Sequence, residues 1–376
     1  MRILFFSSMG GSSWGGSEEL WAAAARAALA DGHAVAVSVF DFGTLPEQVL
    51  ALQRSGATLI VRPRRHATLA DRARQWFARP PWLGAVEAFA PDRICLSQGS
   101  AYECVGRRST RPLLEFLERT RTPAVNVVQF NEPKHDLPGS TLARARRLHD
   151  RCHANTFVAA RNIDEAAATL GAPVPRARVV RNPVNLRDTS PLPWPAVLTP
   201  ALACVARLHV DAKGQDLLLE ALSTRPWRHE PWSLSLFGAG QDEARLREQA
   251  KTLGLADRVH FRGTTSDLRA VWAGHHLLVL PSRAEGTPLA MVEAMLLGRP
   301  CLVTNVGGCA DWIRDGHNGF LATPTLPGIA DSLDHAWAAR DRWAALGRAA
   351  RADAERLHDP DPGRTLLRLL EEASVH

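Results

Sequence analysis

The chain has 376 residues, 45% hydrophobic and 22% charged, with 27 glycines and 25 prolines; it is too long for one ordinary core and too apolar for extended disorder, so two globular domains are expected. The net charge of +6 is uneven: residues 1–185 hold 24 basic and 16 acidic residues, the remainder 21 and 23, which assigns any anionic surface or substrate to the first half. Six cysteines without a C-x-x-C pair argue against a zinc site or a disulfide framework, and the absence of an 18-residue apolar run or a leader pattern reads as a cytoplasmic protein.

In chain order, MRILFF, AVAVSVF, ATLIV, RICLS and AVNVVQF read as strands, with SEELWAAAARAALADG and TRPLLEFLERT as helices between them. Such alternation predicts parallel β-α-β units. Gly32 fits a helix end that turns directly into the second strand. The first turn, SSMGGSSWGGSEE at 7–19, joins a strand to a helix that opens with serine and two glutamates, a common way to cradle a phosphate. VRPRRHATLADRARQWFARPPW, residues 61–82, carries six arginines with Trp76, Phe77 and Trp82. It suits peripheral contact with anionic lipid headgroups, and equally an amphipathic helix packed on its own sheet. Five prolines in RNPVNLRDTSPLPWPAVLTP, 181–200, mark an interdomain linker. The alternation then restarts with ALACVARL, WSLSLFG, RVHF, LLVLPS and PCLVTN as strands. Two successive doubly wound α/β domains follow, and ligands in such folds sit beyond the carboxyl ends of the strands. From about 335 the pattern is helical to the end.

The residues at those strand ends carry the chemistry. In SRAEGTPLAMVEAMLLG, 282–298, Thr287 reads as the N-cap of a helix beginning at Pro288 and ending at Gly298. Gly286, Thr287 and Leu289 would then present backbone N–H groups to an anion. Glu293 is the one polar side chain of PLAMVEAMLL, so it is a buried carboxylate one turn behind that site, placed to accept from vicinal hydroxyls such as those of a ribose. Glu285 lies on the loop, free to reach the other end of a ligand. The plain alternative makes Glu285 a solvated charge and Glu293 half of an internal ion pair. Arg207 and Lys213, at the next strand-to-helix junction, are a fork and a point charge suited to a diphosphate. Gly238 and Gly240 end a strand and permit close backbone approach, and TNVGG supplies a glycine pair after another strand.

Taken together, A-R-L-x-x-x-x-K-G-x-D-L-L-L-E-A-L, P-S-R-x-E-G-T-P-L-A-M-V-E-A-M-x-x-G-R-P and T-N-V-G-G resemble the donor-binding half of retaining glycosyltransferases of family 4. The glutamates Glu285 and Glu293, with seven residues between them, match that family's hallmark, and SWGGSEEL and ADGHAVAV resemble its first-domain loop and second-strand entry. The resemblance implies the GT-B fold, two Rossmann-like doubly wound domains facing across a cleft. It implies an acceptor-binding domain at 1–185, a linker at 186–200, a donor-binding domain at 201–354, and a final helix at about 355–376 that packs back on the first domain. By the same resemblance Arg207 and Lys213 bind the donor diphosphate and Glu293 the ribose. Glu285, Gly286, Thr287, Pro288 and Leu289 hold the sugar and phosphates, Gly238 and Gly240 line the donor site, and Gly15 and Gly16 approach the phosphate. The donor is a UDP- or GDP-sugar and the acceptor a hydroxyl of a glycan, lipid-linked saccharide or small glycoconjugate, as in bacterial polysaccharide biosynthesis. No metal, further cofactor or nucleic-acid partner is implied.

One departure stands out. Where the family often has a histidine after the fifth strand, this chain has Asn131, which donates to a hydroxyl but carries no proton or charge. The resemblance implies that the departing phosphate itself is the base, with Arg207 and Lys213 stabilising its charge. Two other classes compete with a transferase. An NAD-dependent oxidoreductase, prompted by the first loop and Asp41, requires G-x-G-x-x-G, whereas the glycines fall at 10, 11, 15 and 16. A catalytically weak binding subunit draws on Asn131 and is opposed by Arg207, Lys213, Glu285 and Glu293.

Overall fold

Alternating side chains along β1 (Arg2–Ser7) show why its run is apolar throughout: Leu4 and Phe6 enter one core, Ile3 and Phe5 the core on the opposite face. A strand of a parallel sheet covered on both sides has no polar face. The computed structural model describes residues 1–63, 80–106, 110–131, 137–224 and 227–374, and its chain divides into two units, Met1–Pro183 with Asp359–His376, and Val184–His358.

Unit 1 continues with β2 (Ala34–Phe40), β3 (Thr58–Arg62), β4 (Arg93–Gln98), β5 (Ala124–Val128), β6 (Ala154–Phe157) and β7 (Ala177–Val179). The order is β3-β2-β1-β4-β5-β6-β7, and every pair is parallel. The sequence pattern misses β6 and β7, because ANTF and ARV are short and polar. The first helix, Gly16–Ala30, is alanine-rich on its buried side. That lets the C-terminal helix Pro362–Glu371 come close: a Cβ at Gly363 would lie 2.8 Å from Ala23. Arg364 pairs with Asp31, and Glu371 lies 3.1 Å from His33. Asp31 caps the first helix and Gly32 follows at φ +77°, the left-handed turn into β2.

Most of the basic aromatic stretch, 64–79, lies outside the described residues. At its two ends Arg62 and Trp82 are buried and Val61 is exposed. Arg62 is buried, its guanidinium 3.7 Å from the Phe6 ring centroid and 4.1 Å from that of Phe40, and it donates to the Ser7 carbonyl. Trp82 packs on Phe6 with centroids 5.8 Å apart.

Unit 2 holds β8 (Ala201–Val205), β9 (Ser233–Phe237), β10 (Val259–Gly263), β11 (Leu277–Leu280), β12 (Cys301–Thr304) and β13 (Gly319–Ala322). The order is β10-β9-β8-β11-β12-β13, again parallel. β13 escapes the sequence pattern because GFLA is only four residues between turns. Val184–Pro200 forms no helix or strand, and its Leu186 and Leu192 pack on the core of unit 2. All six cysteines are free and buried, as small apolar residues of the two cores. No described helix is long and apolar enough to cross a membrane.

Candidate donor site in unit 2

β8 and β11 are neighbours, but the chain leaves β8 toward β9 and leaves β11 toward β12. Beyond their carboxyl ends lies the topological switch point, where open α/β sheets bind ligands. The loop after β8 carries Arg207 and Lys213; the loop after β11 carries Glu285 and leads to the helix Leu289–Leu296.

Lys213 is the last residue of a one-turn helix, Val210–Lys213, rather than part of an open loop. Asp242 caps that turn by accepting from the Val210 N–H at 2.9 Å, and the buried Gln215 amide donates to the Arg207 carbonyl at 2.8 Å. The turn is therefore rigid. It holds the Lys213 ammonium 2.6 Å from Glu285 Oε1, and the Ser282 hydroxyl donates to the same oxygen at 2.7 Å. Side-chain exposure is 18% for Lys213 and 9% for Glu285. Glu285 is thus no solvated loop charge. Arg207 is exposed, two residues after β8.

A second ion pair, absent from the sequence reading, ties the same two loops. Arg283 forks onto Asp216 at 2.7 and 3.0 Å and also donates to the Val210 carbonyl at 2.6 Å. The Asp216 hydrogen bond raises the Arg283 pKa further. Gly214 completes the junction, at φ +65° with the Pro281 carbonyl 2.1 Å from where a Cβ would stand.

The helix after β11 starts one residue later than Thr287 predicts: Pro288 is its N-cap and Leu289 its first residue, with no side-chain cap. Proline fixes the entry φ, so Thr287 is left buried before the helix. Of the three expected anion-facing groups, Leu289 lies in the first turn. The first-turn N–H groups, Leu289 and Ala290, have no intrahelical acceptor, and the helix dipole adds positive potential there. The helix is buried around most of its circumference.

Glu293 is 2% exposed, and its burial raises its pKa. Its Oε1 accepts from both the backbone and side-chain amides of Asn185, at 2.8 and 3.1 Å. Among the described residues it is hydrogen-bonded and forms no ion pair. Asn185 is 108 residues away in the proline-rich segment, and nothing local in RNPVN signals the contact.

Gly238 and Gly240 do permit close backbone approach, but the backbone that approaches is the chain's own. A Cβ at Gly238 would stand 2.1 Å from the Ala206 carbonyl, and one at Gly240 2.1 Å from that of Leu208. They seat the β8 loop. Gly307, at φ +50°, does the same for the second loop: its Cβ would lie 2.1 Å from the Glu285 carbonyl and 2.4 Å from that of Gly286. The Gly308 N–H donates to Gly286 at 2.6 Å.

The remaining candidates belong to unit 1. Gly15 is extended and Gly16 opens the first helix; a Cβ at Gly15 would meet nothing closer than 3.8 Å. Asn131 is buried, its Oδ1 accepting from the Ala101 N–H at 3.2 Å. Beneath the glycine loop lies a residue that the sequence reading passed over. Glu18 is 3% exposed, and burial pushes its carboxyl from an ordinary 4.5 up to about 7, against the pull of Ser7, Trp21 and the Arg62 charge. A carboxyl raised in the folded state stabilises fully below its unfolded pKa and loses that contribution as pH rises through the folded value. Glu18→Gln is therefore expected to gain about 2 kcal/mol on the wild type between pH 5 and pH 8. Denaturant titrations at three pH values across that window check it, and parallel curves would remove the assignment.

The chain's single Asp-x-Asp, Asp359–Pro360–Asp361, is occupied as a helix cap: Asp361 accepts from the Arg364 N–H at 3.0 Å and Asp359 from Thr365 at 2.7 Å. Among the described residues one cluster has ligand atoms close enough for a cation, Asp31, His33 and Glu371, and it serves the helix contacts of unit 1.

Residues 199–338 match the family described as Glycosyl transferases group 1. An uncharacterized glycosyltransferase of Haemophilus influenzae is 34% identical over 110 residues, 29% of this chain and 31% of that protein. A GDP-mannose-dependent alpha-(1-6)-phosphatidylinositol monomannoside mannosyltransferase of Mycobacterium tuberculosis is 27% identical over 274 residues, covering 66% of this chain and 70% of the other. The chain thus spans about a third of the first relative's length. The crystal structure of HepE from Anabaena in complex with UDP superposes with a TM-score of 0.74 at 20% identity, covering 99% of both chains. The fold is that of GT-B glycosyltransferases, with two parallel-sheet, Rossmann-like domains.

Proposed function

We propose that this protein is a retaining glycosyltransferase that moves a sugar from a nucleotide-sugar donor to an acceptor hydroxyl, with the donor held at the β8/β11 switch point of unit 2. The observation that carries this reading is the Lys213–Glu285–Ser282 junction, held by two stitched loops beside the start of the Leu289–Leu296 helix. It offers cationic and N–H donors to a diphosphate, and a carboxylate to sugar hydroxyls, within one site. The match of 199–338 to group 1 glycosyl transferases supports the same assignment.

In this reading Arg207 and Lys213 stabilise the charge that develops on the departing diphosphate, a contribution made in the transition state. The backbone N–H groups of Gly286, Thr287 and Leu289 hold the phosphates. Glu285 accepts from donor sugar hydroxyls while Lys213 and Ser282 keep it oriented. Glu293 accepts from the ribose through the oxygen that Asn185 leaves free. The acceptor proton goes to the departing phosphate on the same face, so neither a histidine base nor a metal is required. Asn131 donates a hydrogen bond to the acceptor. The acceptor is a glycan, a lipid-linked saccharide or a small glycoconjugate; the mycobacterial relative is named for a lipid-linked one.

A panel of UDP- and GDP-sugars tests this. A cognate donor at 100 times its Kd should stabilise the protein by about 2.7 kcal/mol, with nucleotide release once an acceptor is present. Glu293→Ala should abolish the stabilisation. Stabilisation by NAD(H) alone would overturn the reading, and donor binding without turnover by any acceptor would reduce it to a binding subunit.

A further inference from the structure

His149 is a fully buried histidine in the last turn of the helix Gly139–Arg151 of unit 1. A buried imidazole needs partners for its ring nitrogens. Its Nε2 lies 2.8 Å from the Ala101 carbonyl oxygen. A carbonyl only accepts, so Nε2 carries a proton and donates. Its Nδ1 lies 2.7 Å from Asn155 Oδ1. Asn155 is fixed in that orientation, because its Nδ2 donates to the carbonyls of His149 and Pro175 at 2.9 and 2.8 Å. Asn126 donates to Asn155 Oδ1 at 3.2 Å and accepts from Gln98 at 2.8 Å, and Gln98 accepts from the Cys104 N–H at 2.9 Å. These four side chains, on β4, β5, β6 and the helix, are at most 2% exposed. A buried polar network of this kind holds one arrangement of the groups at its edge.

The group at its edge is the Ala101 peptide, three residues beyond β4. Its carbonyl accepts from His149, and its N–H donates to Asn131 Oδ1 at 3.2 Å. Asn131 is 2% exposed and lies beyond the carboxyl end of β5, where ligands of open α/β sheets bind. Because Oδ1 is engaged, the end of the amide without a partner in the chain is the donor, Nδ2. A buried donor left unpaired is costly, and a ligand oxygen relieves that cost. One peptide unit therefore links His149 to the candidate acceptor-binding amide.

We propose that, in a transferase acting as described above, His149 is a positioning residue: through the Ala101 peptide it holds the Asn131 amide with Nδ2 as the donor to the acceptor hydroxyl. His149 itself touches no reacting atom in this role.

Two substitutions separate its two contacts. Glutamine places an amide near the position of Nε2 and can still donate to Ala101, whereas asparagine places one near Nδ1 and is too short to do so. Steady-state transfer is measured from the donor found in the nucleotide-sugar panel to the methyl glycosides of glucose, galactose and mannose. His149→Asn should raise the glycoside KM about tenfold and leave the Kd for the free nucleotide unchanged. His149→Gln should keep KM close to the wild type. His149→Leu, which also lacks the donor, replaces His149→Asn if that variant does not fold. In an Asn131→Ala background His149→Asn should leave KM unchanged, because the residue it acts through is gone. A purely structural role would instead give the same fold-change in both backgrounds. That result overturns the inference and leaves the transferase reading intact, as does an unchanged KM in His149→Asn or an equal rise in His149→Gln. A wild type that binds the donor but transfers to none of the glycosides removes the acceptor role of Asn131, and this inference with it; a wild type that binds no nucleotide sugar overturns the transferase reading itself.

Discussion

Lys213→Met combined with Glu285→Gln is expected to melt close to the wild type and to transfer sugar at least about 10²-fold more slowly. Each single change should do worse on stability. Lys213→Met leaves the Glu285 carboxylate, 9% exposed, with the Ser282 hydroxyl as its remaining partner. Glu285→Gln leaves the Lys213 ammonium, 18% exposed, without its counter-charge. Stranding a largely buried charged group costs about 1–3 kcal/mol. Removing both charges removes that penalty, so the double variant should recover to within about 1 kcal/mol of wild type. Activity should follow a different rule. If Lys213 stabilises the departing phosphate, its loss costs about 10²–10³ in kcat whatever occupies position 285. Recovery of stability without recovery of turnover separates a transition-state role from a structural ion pair. A double variant that regains both would reduce the pair to a brace between two loops.

The second large effect is expected at a glycine that abuts the Glu285 loop. Gly307→Ala places a methyl group 2.1 Å from the Glu285 carbonyl and 2.4 Å from that of Gly286, at a left-handed φ of +50°. The backbone cannot absorb such overlap without moving the loop that carries Glu285. Overpacking and left-handed strain together cost about 2–5 kcal/mol, and displacement of Glu285 should lower turnover beyond the stability loss. Gly298→Ala is the control. It sits at φ +78°, yet a Cβ there meets nothing within 4 Å. It should cost only about 1 kcal/mol of left-handed strain and leave turnover intact. Equal effects at both positions would mean that conformation alone makes Gly307 necessary.

The contrast between these two glycines shows how the site was legible. Both stand out in the sequence as punctuation after apolar runs. Only the structure separates Gly298, which merely turns the chain, from Gly307, which abuts the Glu285 loop. Gly238 and Gly240 follow the same logic: the need for close approach was readable, and its object was not. Arg207, Lys213, Glu285 and Glu293 were legible because each lies just after a strand or inside an apolar helix. Asn185, Asp216 and Arg283 were not, because their partners lie 67 to 108 residues away and polar residues in loops carry no periodic signal. Buried Arg62 shows the same limit. Within VRPRR it reads as one more surface cation, whereas Phe6 and Phe40 from other strands enclose it.

By itself the sequence determined the two parallel α/β units, the strand ends where chemistry gathers and the buried carboxylate of Glu293. These follow from local periodicity and from the cost of burying polar groups, which short stretches record. The tertiary structure alone decided which loops are stitched together, that Lys213 faces Glu285 and that Glu18 is buried beneath the glycine loop. Those facts depend on contacts between residues far apart in the chain, where the energy lies in the pairing and neither partner records it alone.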